Sequence, residues 1–118
     1  MLDVIFYRDD RGRLGAVAAS GHAGFGEYGD DVVCAAVSAV LQAARLGLSE
    51  FAGGVTARQE SGQFELELNE AARDRESVRA IVTTAELAIE QIARCYPGHV
   101  RIVRAQLEVR REAGSPGG

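Results

Sequence analysis

The stretch SGHAGFGEYGDDVVCAAVS, residues 20–38, decides how the chain is organised, because it joins the end of a strand to the start of a helix. Its middle part, residues 21–29, holds four glycines and reads as a loop. Asp30 and Asp31 follow, and a carboxylate at a helix N-terminus can accept hydrogen bonds from the free N–H groups of the first turn. We therefore expect either aspartate to cap a helix that begins just after the loop.

Alternating and β-branched residues predict a hairpin on the N-terminal side, from Leu2–Arg8 and residues 13–20 around a turn at residues 9–12. On the C-terminal side, apolar residues recur at helical spacing, namely Val33, Ala36, Val37, Val40, Leu41, Ala44 and Leu48. A second hairpin is expected from Val55–Glu60 and residues 63–69.

A second long helix is expected to start at Asp74 or Ser77 and to stop at residues 96–98, where Tyr-Pro-Gly occurs. The last predicted strand covers residues 100–110 and places Val103, Ala105, Leu107 and Val109 on one face. The order is thus ββαββαβ. It predicts a single-domain α+β fold, a two-layer sandwich with a mainly antiparallel sheet and two helices on one face.

Composition indicates a globular domain over residues 1–113 and a flexible tail over residues 114–118. The net charge of -4 disfavours general binding to a nucleic-acid backbone, and no direct nucleic-acid partner is expected. Neither a leader nor an apolar run near 18 residues is evident, so membrane insertion is not expected. Two cysteines are too few for a disulfide framework, which favours a cytoplasmic setting.

Two ligand-binding interpretations of the loop fail on chemistry. Residues 24–29 match the dinucleotide pattern GxGxxG, but Asp30 and Asp31 would repel a pyrophosphate at the helix N-terminus. His22 lies eight residues from the nearest other metal-ligand candidate, and no compact pair of ligands occurs. We expect neither a metal nor a cofactor.

Nucleophilic catalysis fits the same residues better. With Asp31 as the cap, Cys34 falls in the first helical turn, where free N–H groups and the helix dipole favour a thiolate. His22 could reach it as a general base, and Ser38 shares its helical face. From the residues alone a second interpretation stays open, in which Cys34 is a buried small side chain and His22 a turn residue.

The stretch resembles the bacterial ribosomal-processing cysteine protease family, Prp, whose members carry GHA followed by G-x-D-x-V-C-A-x-V-S. Here these motifs read Gly21-His22-Ala23 and residues 29–38, with Cys34 and Ser38 at the motif's cysteine and serine. The length and element order also resemble the family across nearly the whole chain.

The resemblance implies a cysteine endopeptidase that removes the N-terminal extension of bacterial large-subunit ribosomal protein twenty-seven, and it also implies a homodimer. Cys34 would be the nucleophile, His22 its general base, and Asp31 and Ser38 supporting residues. A non-catalytic, ribosome-associated peptide-binding domain is the alternative function. We further expect a substrate-binding loop made of Gly21, Ala23, Gly24, Phe25, Gly26, Glu27, Tyr28 and Gly29.

Overall fold

A computed structural model of the chain describes residues 1–21, 28–53, 55–60 and 62–108, with residues 28–31 described as backbone only. The elements are β1 (Leu2–Arg8), β2 (Leu14–Gly21), α1 (Tyr28–Phe51), β3 (Val55–Glu60), β4 (Gln63–Leu68), α2 (Glu70–Arg73), α3 (Glu76–Cys95) and β5 (Val100–Gln106). The predicted tail, residues 114–118, lies outside the described residues. The predicted α+β class is confirmed.

The five strands form one mixed sheet in the order β3-β4-β2-β1-β5. Three neighbouring pairs are antiparallel, as predicted, whereas β1 and β5 run parallel, with Leu2 opposite Val100. The expectation of a mainly antiparallel sheet therefore needs correction at this edge. A helical crossover precedes β5, and such a connection permits parallel pairing, whereas a tight hairpin turn does not.

Both long helices pack on the same face of the sheet and enclose the core. Val4 and Phe6 of β1 point into it, and Leu66 and Leu68 of β4 extend the same layer. To this cluster α1 contributes Val33, Val37, Leu41 and Leu48 at the predicted helical spacing, and α3 contributes Val78, Val82 and Ile89. The predicted placement of two helices on one face is thus confirmed.

The apolar character of α1 exceeds what we expected from the sequence. By length and composition, Val32–Phe51 is apolar enough to cross a membrane, with a mean hydropathy of 1.6. The expectation that the chain holds no apolar run near 18 residues is therefore wrong. Val33, Val37 and Leu48 are nearly or fully enclosed in the core, and 28% of the apolar window is buried in all.

A short helix that the sequence analysis missed follows β4. The side chain of Asn69, predicted as a strand residue, accepts a hydrogen bond of 3.1 Å from the Ala72 N–H and caps α2. The chain then enters α3 at Glu76 rather than at either predicted start. Four helical residues are too few to give a periodic pattern, which explains the omission.

Within β5, the predicted apolar face that begins at Val103 is not the face that packs on the core. Val100 and Ile102 pack against the core, whereas Val103 lies on the opposite face and is 37% exposed. Arg104 follows in the inward register and pairs with Glu86 and Glu90 of α3. Its charge is neutralised there, so Arg104 can lie on the same face of β5 as the core residues Val100 and Ile102.

Glu86 joins that edge of the sheet to α3. It is 8% exposed and binds the Arg8 guanidinium at 2.6 Å and Arg104 at 3.0 Å. Burial alone would raise the pKa of Glu86, but the hydrogen bonds and charges of Arg8 and Arg104 outweigh it and lower this pKa.

A second ion cluster ties the β1–β2 turn to α2. The Asp9 carboxylate accepts hydrogen bonds from the backbone N–H groups of Arg11 and Arg13, and both arginines Arg13 and Arg73 contact it at 3.0 Å. Burial would raise the pKa of Asp9, yet these bonds lower it from 3.8 to about 2. Arg73 is 5% exposed and also donates to the Leu68 carbonyl, so Asp9 is the counter-ion of a buried charge.

Replacing Asp9 with Asn should lower the free energy of unfolding at pH 7 by about 3 kcal/mol, because Arg73 is left buried without its counter-ion. The wild-type contribution is present above pH 4 and is lost as the pH falls toward 2, since the folded-state pKa of Asp9 is depressed. Urea unfolding at pH 7, 4 and 3 measures both effects. Asp10→Asn, at the exposed neighbouring position, is the control, and equal losses in the two variants would contradict the assignment.

Candidate active site

Cys34 lies on the face of α1 that borders the core. Its side chain is partly exposed and packs against the buried cluster. Ser38 is four residues further along the helix and lines the same cavity, so the predicted shared face is confirmed. Gln42, another four residues on, lines it too.

The predicted relation between Cys34 and the helix start is wrong. The helix begins at Tyr28, so Cys34 is its seventh residue and stands in the second turn. The free N–H groups belong to residues 28–31, and the thiol has no first-turn position. Asp30 and Asp31 lie inside the helix rather than before it, because carboxylates are favourable both as caps and within the first turn.

The predicted loop is shorter than residues 21–29. Gly21 is the last residue of β2, and Tyr28 and Gly29 are the first residues of α1. His22, Ala23, Gly24, Phe25, Gly26 and Glu27 lie outside the described residues. The backbone of Asp31 is placed in α1, and its side chain is not described. The roles assigned to all of these residues stay predictions.

A cavity of about 190 Å³ opens beside Cys34. Its buried lining residues are apolar and come from three strands and the helix, namely Leu2, Ala19, Val37, Leu41 and Phe64. Its polar lining consists of Gln42, which is partly exposed, and of the exposed residues Ser38, Gln59, Glu60 and Gln63. An apolar base with a polar margin suits a peptide, whose side chains prefer burial and whose backbone needs hydrogen bonds.

Gly21 brings the end of β2 to this cavity. It lines the cavity together with Cys34, and it is covalently bound to His22. Its N–H donates to the Gly62 carbonyl at 3.0 Å, which fastens the strand end to the β3–β4 turn. Thus the described chain places the residue before the predicted base and the predicted nucleophile around one cavity.

The backbone at Gly21 requires glycine. Its φ is +95°, and a Cβ atom there would lie 2.6 Å from the Met1 carbonyl oxygen. Other residues rarely adopt this conformation, and the close approach excludes a side chain independently of it. The β2 end can therefore cross the N-terminus closely enough to reach the cavity.

Cys95, the second cysteine of the chain, does not line the cavity. Cys95 is exposed in the last turn of α3, and the Gln91 amide nitrogen lies 4.0 Å from its sulfur.

Within the described residues, no three histidine, cysteine or acidic side chains gather as a metal site. His22 and the side chains of Asp30 and Asp31 lie outside that search, so the metal-free expectation stays a prediction.

Apart from Ser38, the polar residues that line the cavity were not predicted from the sequence. Gln42 could have been found, since its spacing of eight residues from Cys34 places it on the same helical stripe. Gln59 comes from a different element, and the strand register that brings it there is not visible in the sequence.

The family model described as cysteine protease Prp matches residues 1–101, which include Gly21 and the whole cavity lining. This chain belongs to the Prp family. The resemblance drawn from the GHA and cysteine motifs is therefore confirmed, and this Prp family member is a cysteine-type peptidase.

Named relatives and solved structures agree with that membership. The ribosomal processing cysteine protease Prp of Staphylococcus aureus strain Mu50 is 30% identical over 105 residues, which cover 86% of this chain and 97% of the relative. The crystal structure of S. aureus Prp with a covalently linked product peptide has a TM-score of 0.78 at 25% identity, and covers 88% of this chain and 99% of its own. SMU.848 from Streptococcus mutans has a TM-score of 0.76 at 29% identity, covering 90% of this chain and 95% of its own.

Replacing Gly21 with Ala should reduce both stability and peptide cleavage, because the added Cβ meets the Met1 carbonyl. Gly12→Ala is the matched control, since Gly12 also has a positive φ, of 78°, but open space around the position. We expect Gly21→Ala to lose about 1 kcal/mol more of unfolding free energy than Gly12→Ala. Thermal unfolding and a peptide cleavage assay measure the two effects, and equal losses in both variants would refute the steric role.

Proposed function

We propose that this Prp family member is a cysteine endopeptidase that removes the N-terminal extension of bacterial large-subunit ribosomal protein twenty-seven and thereby supports ribosome assembly. The observation that carries the proposal is that Cys34 and Gly21, which precedes His22, line one cavity with an apolar base. The S. aureus relative is a ribosomal processing protease, and its structures contain a substrate peptide and a covalently linked product peptide.

The chemistry assigned to the two predicted catalytic residues is acyl transfer through a thioester. The His22 imidazole accepts the Cys34 proton, and the sulfur then attacks the peptide carbonyl carbon. When the C–N bond breaks, the imidazolium gives that proton to the leaving amine. Water next adds to the thioester carbonyl with His22 as base, the C–S bond breaks, and the thiol is restored.

The supporting residues act through this pair. Asp31 is proposed to orient the imidazole, as the third group of a triad does. Ser38, whose place on the cavity wall is described, is proposed to supply a hydroxyl hydrogen bond to the site. The segment from Gly21 to Gly29 is proposed to contact the substrate, with Tyr28 and Gly29 doing so from the helix start.

The partners and location belong to the same proposal. The peptide substrate is the N-terminal extension of the ribosomal protein, the enzyme acts in the cytoplasm, and it works as a homodimer without cofactor, membrane or nucleic-acid contact. The net charge of -4 is compatible with a partner that carries positive charge.

Cys34→Ser should reduce cleavage of the ribosomal-protein precursor by at least about 1000-fold, because the nucleophile is lost while the cavity shape is kept. Binding of the precursor should persist. Cys95→Ser is the matched control, as Cys95 is exposed and does not line the cavity, and it should cleave at the wild-type rate. Mass spectrometry of the product N-terminus gives the readout.

Two results of that assay would count against the proposal. Normal processing by Cys34→Ser would show that another group is the nucleophile. Peptide binding with no cleavage by the wild-type protein would favour the alternative, a non-catalytic peptide-binding domain.

A further inference from the structure

A polar stripe runs along α1 away from Cys34. Ser38 and Gln42 follow it at intervals of four residues, and all three line the cavity. Eight helical residues rise by about 12 Å, which equals about three to four residues of an extended peptide. A peptide that leaves Cys34 along this stripe therefore reaches Gln42 three or four residues from the bond that is cut.

Gln42 is linked there to β3 by hydrogen bonds that fix the orientation of each amide. The Arg45 Nε donates to the Gln42 Oε1 at 3.0 Å. A guanidinium group is only a donor, so the Gln42 oxygen must face Arg45 and its Nε2 must face away. That nitrogen donates to the Gln59 Oε1.

The hydrogen bond from Gln42 also fixes which end of the Gln59 amide is available to another partner. Since its oxygen accepts from Gln42, its Nε2 is the end that is left, and within the described residues this nitrogen has no hydrogen-bond partner. Gln59 pairs with Phe64 across β3 and β4, which puts its side chain on the helix-facing side of an edge strand. Both Gln59 and Phe64 line the Cys34 cavity.

We propose that the Gln59 amide is a specificity-determining donor that binds a main-chain carbonyl of the substrate three or four residues from the cleaved bond. The inference rests on the proposed function and deepens it. An amide N–H₂ can only donate, and carbonyl oxygens are the acceptors that every extended peptide presents at this distance. The contact selects for peptide length and extension rather than for a particular side chain.

Arg45 and Gln42 are positioning residues in this arrangement. Together they orient the Gln59 amide so that its nitrogen, rather than its oxygen, faces the cavity. Replacing Gln42 with Glu turns that position into an acceptor, so the Gln59 Nε2 turns toward it and the oxygen faces the substrate instead. This variant reverses the polarity of the contact while leaving Gln59 in place.

Two peptides from the ribosomal-protein precursor test the inference, one with four residues on each side of the cleaved bond and one with two. We expect Gln59→Leu and Gln42→Glu each to lower kcat/KM for the long peptide about 5- to 10-fold, the size of one hydrogen bond. Neither variant should change kcat/KM for the short peptide. Thr56→Val is the matched control, since Thr56 is exposed on the opposite face of β3 and should leave both values unchanged.

The outcomes separate this inference from the function on which it rests. Unchanged cleavage of the long peptide by Gln59→Leu overturns the contact while leaving the protease assignment standing. An equal loss on both peptides also overturns it, because it shows a general structural effect. A wild-type enzyme that cuts neither peptide overturns the proposed function and the contact together.

Discussion

The packing of one stripe of α1 against the sheet is the interaction on which the rest of this structure depends. Val33, Val37, Leu41 and Leu48 are almost completely enclosed, and they fix both the position and the rotation of the helix. Cys34 and Ser38 sit beside that stripe, so the same burial that stabilises the domain aims them at the ends of β2, β3 and β4. The cavity is a by-product of core packing rather than of a separate structural unit.

Among the described residues, the buried charged side chains Arg73 and Glu86 both have ion-pair partners. Asp9 neutralises Arg73 at the β1–β2 turn, and Glu86 neutralises Arg8 and Arg104 at the β5 edge. Each cluster joins elements that are distant in sequence. Each therefore stabilises contacts that no short turn connects. Polar lining at the cavity instead comes from three amides, a hydroxyl and one exposed carboxylate, Glu60. The amides and the hydroxyl can bind a peptide backbone without the desolvation cost of a buried charge.

The sequence predicted the elements whose hydrophobic pattern matches their burial. It did not predict features that depend on contacts between elements distant in sequence. Alternation in β1 and β4 and helical spacing in α1 reflect one-sided burial, so the sequence predicted these elements. The start of α1 was wrong because carboxylates favour a cap and a first turn equally. The pattern did not indicate which face of β5 meets the core, because Arg104 on that face pairs with carboxylates of α3. At the site, Cys34 and Ser38 followed from spacing, whereas Gln59 depends on strand register.

In the proposed reaction Cys34, and not the more exposed Cys95, attacks a bound peptide. The direct measurement uses a substrate peptide ending in a chloromethyl ketone, with tandem mass spectrometry to locate the adduct and iodoacetamide as a probe of exposure alone. We expect the peptide reagent to modify Cys34 and to leave Cys95 unmodified, although Cys95 is the more exposed thiol. Modification of Cys95 in preference to Cys34 would contradict it.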